Sequence, residues 1–89
     1  MTMKEKLKIH AEIERENREN VKRWKAMELY TKLVRAGQLE EARMILRLLR
    51  NGHITLWLGD IDWNVQCALE SISFPVWYSR NGNKAEARI

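Results

Sequence analysis

From Lys4 to Ala36 the chain contains neither glycine nor proline, and its residues are chiefly Glu, Lys, Arg, Leu, Met and Ala, which lose little side-chain freedom in a helix. So long an unbroken run predicts one long helix. Its first half, Ala11 to Asn20, has Ile13 as its one large apolar side chain, so local charge pairing must hold it more than packing does. Residues 1–20 are therefore expected to form an exposed helical arm. In the second half Val21, Trp24, Met27, Tyr30, Leu33 and Val34 recur at three- and four-residue spacing, with Leu29 on another side. That spread predicts a helix packed against more than one element and anchoring the core.

Gly37 breaks the pattern, and Leu39-Glu40-Glu41-Ala42 sets two acids in a new first turn, where the helix dipole favours them. A second helix is expected from Leu39 to Arg50, apolar on most sides and ended by Asn51-Gly52. His53 to Leu58 carries β-branched and aromatic residues and reads as extended. Asp60 or Asp62 is placed to cap a third helix reaching Ser71, with Ile61, Val65, Ala68, Leu69 and Ile72 as its apolar stripe. Phe74-Pro75 ends it. Val76-Trp77-Tyr78 is expected to pair with 54–58 as a minimal two-stranded ribbon, and residues 80–89 read as a polar, frayed tail. The expected fold is mainly α: one small domain over 1–89, with an αα-hairpin, a short third helix and that ribbon.

Eighty-nine residues support one core, because a chain this short buries a modest share of its surface. Apolar residues make up 45% and charged residues 31%, a globular rather than a disordered mixture. No apolar run approaches the roughly 20 residues that cross a bilayer, and Met1 to Glu5 leads into charge rather than an apolar signal region. A single cysteine, Cys67, allows no internal disulfide, and His10 and His53 are far apart, so no metal-ligand spacing exists. The expectation is a cytoplasmic protein without cofactor or metal. Cys67, among Val65, Ala68 and Leu69, is expected to be a buried, inert thiol. Catalytic candidates are thin, since His10 and Glu14 lie on a polar helix and His53 has no acid or nucleophile at a telling spacing.

Residues 29–52, with Leu33-Val34-Arg35-Ala36-Gly37-Gln38-Leu39-Glu40-Glu41-Ala42-Arg43 and Leu46, resemble one helical hairpin of the tetratricopeptide or pentatricopeptide repeat type. The resemblance implies two antiparallel helices joined at Gly37 and close together at Ala42. Such repeats stack in sets of at least three, and this chain has a single copy. No binding residue is carried over.

Two patterns point to function. On a straight helix at about 100° per residue, Arg15, Arg18, Lys22, Lys25 and Lys32 fall in one arc opposite Ile9, Ile13, Met27 and Val34. Arg43, Arg47 and Arg50 form a second narrow stripe on helix two. Aligned by the hairpin, the two would make one phosphate-neutralising surface on a chain of net charge +4, although a solvated polar face explains them too. The second pattern is aromatic: Trp24, Trp57, Trp63 and Trp77, with Phe74 and Tyr78, are more large rings than one small core holds. Trp57, Trp63, Trp77 and Tyr78 are the expected partner contacts, because Trp and Tyr anchor interfaces. Asn17 and Asn20 sit on a seam with Ile13, Trp24 and Met27, where buried amides set register in a helix-helix dimer. The favoured expectation is a non-catalytic module, a small regulator, inhibitor or adaptor, that binds another protein. The alternative is an accessory protein that binds nucleic acid through its basic faces.

Overall fold

The computed structural model describes residues 2–89; Met1, first residue of the expected arm, lies outside the described residues. The chain is mainly helical and runs α1 (Met3–Arg35), α2 (Leu39–Asn51), β1 (His53–Trp57), α3 (Asp60–Ser71), β2 (Val76–Tyr78) and β3 (Lys84–Arg88). A capping box starts α1: the Thr2 hydroxyl accepts from the Glu5 N–H, and the Glu5 carboxylate accepts from the Thr2 N–H. This satisfies two of the donors that a helix start leaves unpaired. The helix ends where Gly37 takes φ 77°, with Gln38 N–H donating to Leu33 C=O and Gly37 N–H to Val34 C=O. A residue with a Cβ is disfavoured in that left-handed position.

The chain then folds back as α2, and Arg23 of α1 donates to the Leu49 carbonyl at 3.1 Å, satisfying one of the free carbonyls at the end of α2. One core joins Ala26, Leu29 and Leu33 of α1, Ala42, Ile45 and Leu48 of α2, Ile54 and Leu56, Val65 and Leu69 of α3, Phe74, and Ala85 and Ala87. The expected packing face of α1 is therefore corrected. Of the residues expected to pack, Leu29 and Leu33 are buried and Tyr30 is partly so, whereas Val21, Trp24, Met27 and Val34 are exposed. Leu39 and Leu46 are also exposed, so α2 is amphipathic rather than apolar on most sides.

The sheet has the strand order β1-β3-β2, with β3 antiparallel to both neighbours. The expected two-stranded ribbon is replaced by this arrangement: 54–58 and 76–78 do not pair with each other, and residues 84–88 of the expected frayed tail lie between them. Lys84-Ala85-Glu86-Ala87-Arg88 is built of residues that strands ordinarily disfavour, and tertiary packing overrides that preference. Its two alanines are buried, and Ile89 N–H donates to Gly52 C=O at 2.9 Å, fixing the end of the strand.

Gly59, not an aspartate, stands at the N-cap of α3. Asp62 instead accepts the backbone N–H of Trp57. Along α3 the buried positions are Val65, Gln66 and Leu69, whereas Cys67 is exposed, correcting the expectation of a buried thiol. At about 100° per residue Cys67 lies across the helix from Val65 and Leu69. No helix among the described residues is long and apolar enough to cross a membrane.

Candidate functional site

Residues paired across an antiparallel ladder share a face of the sheet, and the faces alternate along each strand. Ile54 and Leu56 of β1 pair with Ala87 and Ala85, and these four are buried. The same face of β2 holds Val76 and Tyr78, opposite Ala87 and Ala85. The other face therefore presents His53, Thr55 and Trp57 on β1, Lys84, Glu86 and Arg88 on β3, and Trp77 on β2. Trp57 is opposite Lys84, Thr55 and Trp77 are both opposite Glu86, and His53 is opposite Arg88. This outer face is the candidate site.

Trp57 and Trp77 are each about half exposed, at 55% and 51%. They stand on the two outer strands with β3 between them, so strand spacing and rise put their Cα atoms about 12 Å apart. Each ring has a cation near it. Lys84 Nζ lies 4.4 Å from the Trp57 ring centroid, and Lys22 Nζ of α1 lies 6.0 Å from that of Trp77, both within reach of the negative face of an indole. Glu86 is engaged by Arg88, whose Nη2 is 2.8 Å from the carboxylate.

Basic groups frame this face on three sides. Arg43 and Arg47 of α2 share a surface depression with Thr55 and Trp57, Lys22 reaches Trp77, and the β2–β3 turn carries Arg80. A second shallow depression runs over Thr55, Trp77, Ser79, Lys84 and Glu86. Three carboxylates lie at the face: Glu86 is engaged by Arg88, Asp62 accepts the Trp57 N–H, and Glu40 lines the depression that holds Arg43 and Arg47.

The remaining expected contacts lie elsewhere. Trp63 is on the exposed side of α3 with Cys67, across the helix from Val65 and Leu69. Tyr78 is at the sheet edge, where its hydroxyl donates to Glu70; that hydrogen bond, then burial and the Glu70 charge, raises the phenol above its ordinary value of 10.0. Arg50 shares a depression with Arg43, Leu46, Arg47 and Asn51. The basic arc of α1 is not on its solvent side: Lys22 and Lys25 are half-buried, and with Arg18 they line a depression against Phe74 and Pro75. Arg15 lies farther along the arm and Lys32 is exposed near the C-terminal end of α1. The depressions holding Arg43 and Arg47 are lined by α2, β1 and α3 rather than by α1.

Sequence reasoning missed Lys84 and Arg88. The signal was the strict alternation of charged residues with alanine from Lys84 to Arg88, which marks a half-buried strand. Among the described residues no three His, Cys, Asp or Glu side chains gather in a way that would hold a metal ion. Neither a protein-family model, nor a curated protein, nor a solved structure matches this chain.

Proposed function

We propose that this is a non-catalytic binding protein whose outer sheet face takes single-stranded nucleic acid. The observation that carries the reading is the placement of Trp57 and Trp77 on one uncovered sheet face, with Lys84 and the Arg88-paired Glu86 between them and Lys22, Arg43 and Arg47 at its margins. Exposed indoles accept unpaired bases on their flat faces, which contributes about 1–3 kcal/mol per base with little sequence preference. The surrounding cations meet the phosphates and release counterions. A duplex keeps its bases stacked on each other, so paired rings on a flat sheet suit a single strand better. Lys84 covers one face of Trp57 in the free protein; a stacked base uses the other face or displaces the ammonium toward a phosphate. A reducing, cytoplasmic setting suits a chain with one exposed thiol.

Fluorescence anisotropy with random-sequence single-stranded RNA and DNA tests this. Binding is expected at about 50 mM salt and should weaken steeply by about 200 mM. Trp57→Ala and Trp77→Ala should each weaken it by about 5- to 150-fold. Absence of binding at low salt, or binding indifferent to both tryptophans, overturns the proposal. The expectation of a protein partner draws its support from a different surface, the solvent side of α1, where Trp24, Met27 and Val34 are exposed.

A further inference from the structure

We infer that Glu86 reads the base that crosses the sheet between Trp57 and Trp77, taking cytosine in preference to uracil; the inference rests on the single-strand reading above. Glu86 is on the central strand, opposite Thr55 of β1 and Trp77 of β2, and Trp57 is two residues along from Thr55 on the same outer face. The roughly 12 Å between the Cα atoms of the two tryptophans is several times the spacing of about 3.4 Å between stacked neighbours in a nucleic-acid strand. Bases on the two rings are therefore not stacked neighbours, and the strand between them passes over β3. A carboxylate at that point repels phosphate. The backbone is then held at the basic margins, by Lys22 beside Trp77 and by Arg43 and Arg47 beside Trp57, and what the strand turns toward Glu86 between them is a base edge.

The pair with Arg88 prepares the carboxylate for this. Arg88 donates from Nε at 2.9 Å and from Nη2 at 2.8 Å, both to Oε1, which fixes the group and leaves Oε2 to accept from a ligand. The Glu86 side chain is 37% exposed, so a base edge reaches it. An ionised carboxylate accepts and cannot donate. Cytosine offers an amino group, the donor that Asp and Glu accept in base recognition. Uracil has a carbonyl oxygen at the same place, and its ring N–H stands between two carbonyls that a carboxylate repels. The two bases are equal in ring size, so stacking separates them little. The neighbouring groups do not reverse the choice. The Thr55 hydroxyl serves either base, Lys84 holds its ammonium over the Trp57 ring, and Asp62 and Glu40 lie at the Trp57 margin with Arg43 and Arg47 rather than between the rings.

Fluorescence anisotropy with cytidine and uridine homo-oligomers of equal length, at neutral pH and about 50 mM salt, tests the inference. Cytidine should bind about ten-fold tighter, the lower end of what a hydrogen bond to a charged group contributes. An oligomer whose cytosines carry two methyl groups on the amino nitrogen has lost both donors and should bind no better than uridine. Glu86→Gln sets a donor beside the acceptor, so it should bring the cytidine-to-uridine ratio near unity while both oligomers still bind. Lys84→Gln should weaken both and leave the ratio unchanged. Equal binding of the two homo-oligomers, tighter binding of uridine, full affinity for the dimethylated oligomer, or a ratio that survives Glu86→Gln overturns the inference. In each of those cases the single-strand reading stands as long as binding depends on Trp57 and Trp77. Binding of neither oligomer overturns both.

Discussion

The Asp62 carboxylate accepts the backbone N–H of Trp57 at 2.6 Å, tying the first turn of α3 to the last residue of β1. The bond does two things of opposite sign. It fixes the backbone that presents the Trp57 ring, and it leaves a negative charge in the depression shared with Arg43 and Arg47. Asp62→Ala should destabilise the fold by about 1 kcal/mol, the usual worth of one hydrogen bond at a partly exposed site. Asp62→Asn keeps an acceptor and should cost less. Asn should tighten single-strand binding, because the field over the face becomes more positive. Thermal unfolding and anisotropy on the same samples check the pair; an Asn variant that binds more weakly would show that Asp62 serves the ligand directly.

Gln66 is 1% exposed, and neither atom of its amide has a hydrogen-bond partner. It occupies a position on α3 beside Val65 and Leu69 where the fold calls for an apolar side chain. A buried amide left unpaired costs about 1–3 kcal/mol. Gln66→Met keeps the unbranched shape and removes the polar atoms, so it should raise the unfolding midpoint while leaving binding at the sheet unchanged. A lower midpoint would mean that the amide is satisfied in solution and supports the fold.

The helices were legible because their signals are local. The absence of breakers from Lys4 to Ala36, Gly37 and Gly52 at the turns, and Phe74-Pro75 after α3 fixed three elements to within a residue or two. Which side of α1 is buried was not legible, since the helix carries apolar residues on both sides. The small Ala26 with Leu29 and Leu33 won the core, and the larger Trp24 and Met27 stayed out. The central strand was hidden for a similar reason: Lys, Ala, Glu and Arg carry helix preference, and only pairing with β1 and β2 makes them a strand. At the site, Trp57 and Trp77 were identified from their type alone, whereas their common face follows from a strand order that no local pattern reveals.

Tyr78 donates to Glu70, and that bond, with burial and the Glu70 charge, keeps the phenol neutral above its ordinary 10.0. The fold thus prefers the protonated form. Its contribution to stability is complete below pH 10.0 and is lost as the pH rises from there through the higher folded value. Glu70→Gln removes the charge and should bring the phenol back toward its ordinary value. The difference in phenolate absorbance between the protein and its Tyr78→Phe variant isolates this one group. A transition at the ordinary value in the unmutated protein would show that the Glu70 contact does not persist in solution.

The margins of the sheet face set how steeply binding should depend on salt. Each phosphate neutralised on a single strand adds about 0.7 to the slope of log affinity against log salt concentration. If Lys22, Arg43, Arg47 and Lys84 each meet one phosphate, the slope is about −3. Arg47→Glu should make it shallower by about 0.7 or more, with similar losses on every sequence, because a phosphate contact carries no base preference. Lys32→Glu is the matched control, the same change of charge on an exposed residue of α1 away from the face, and should leave the slope nearly unaltered. Equal effects at the two positions would mean that only net charge matters and that the strand does not follow the sheet. A loss confined to Arg47 would trace its path past Trp57.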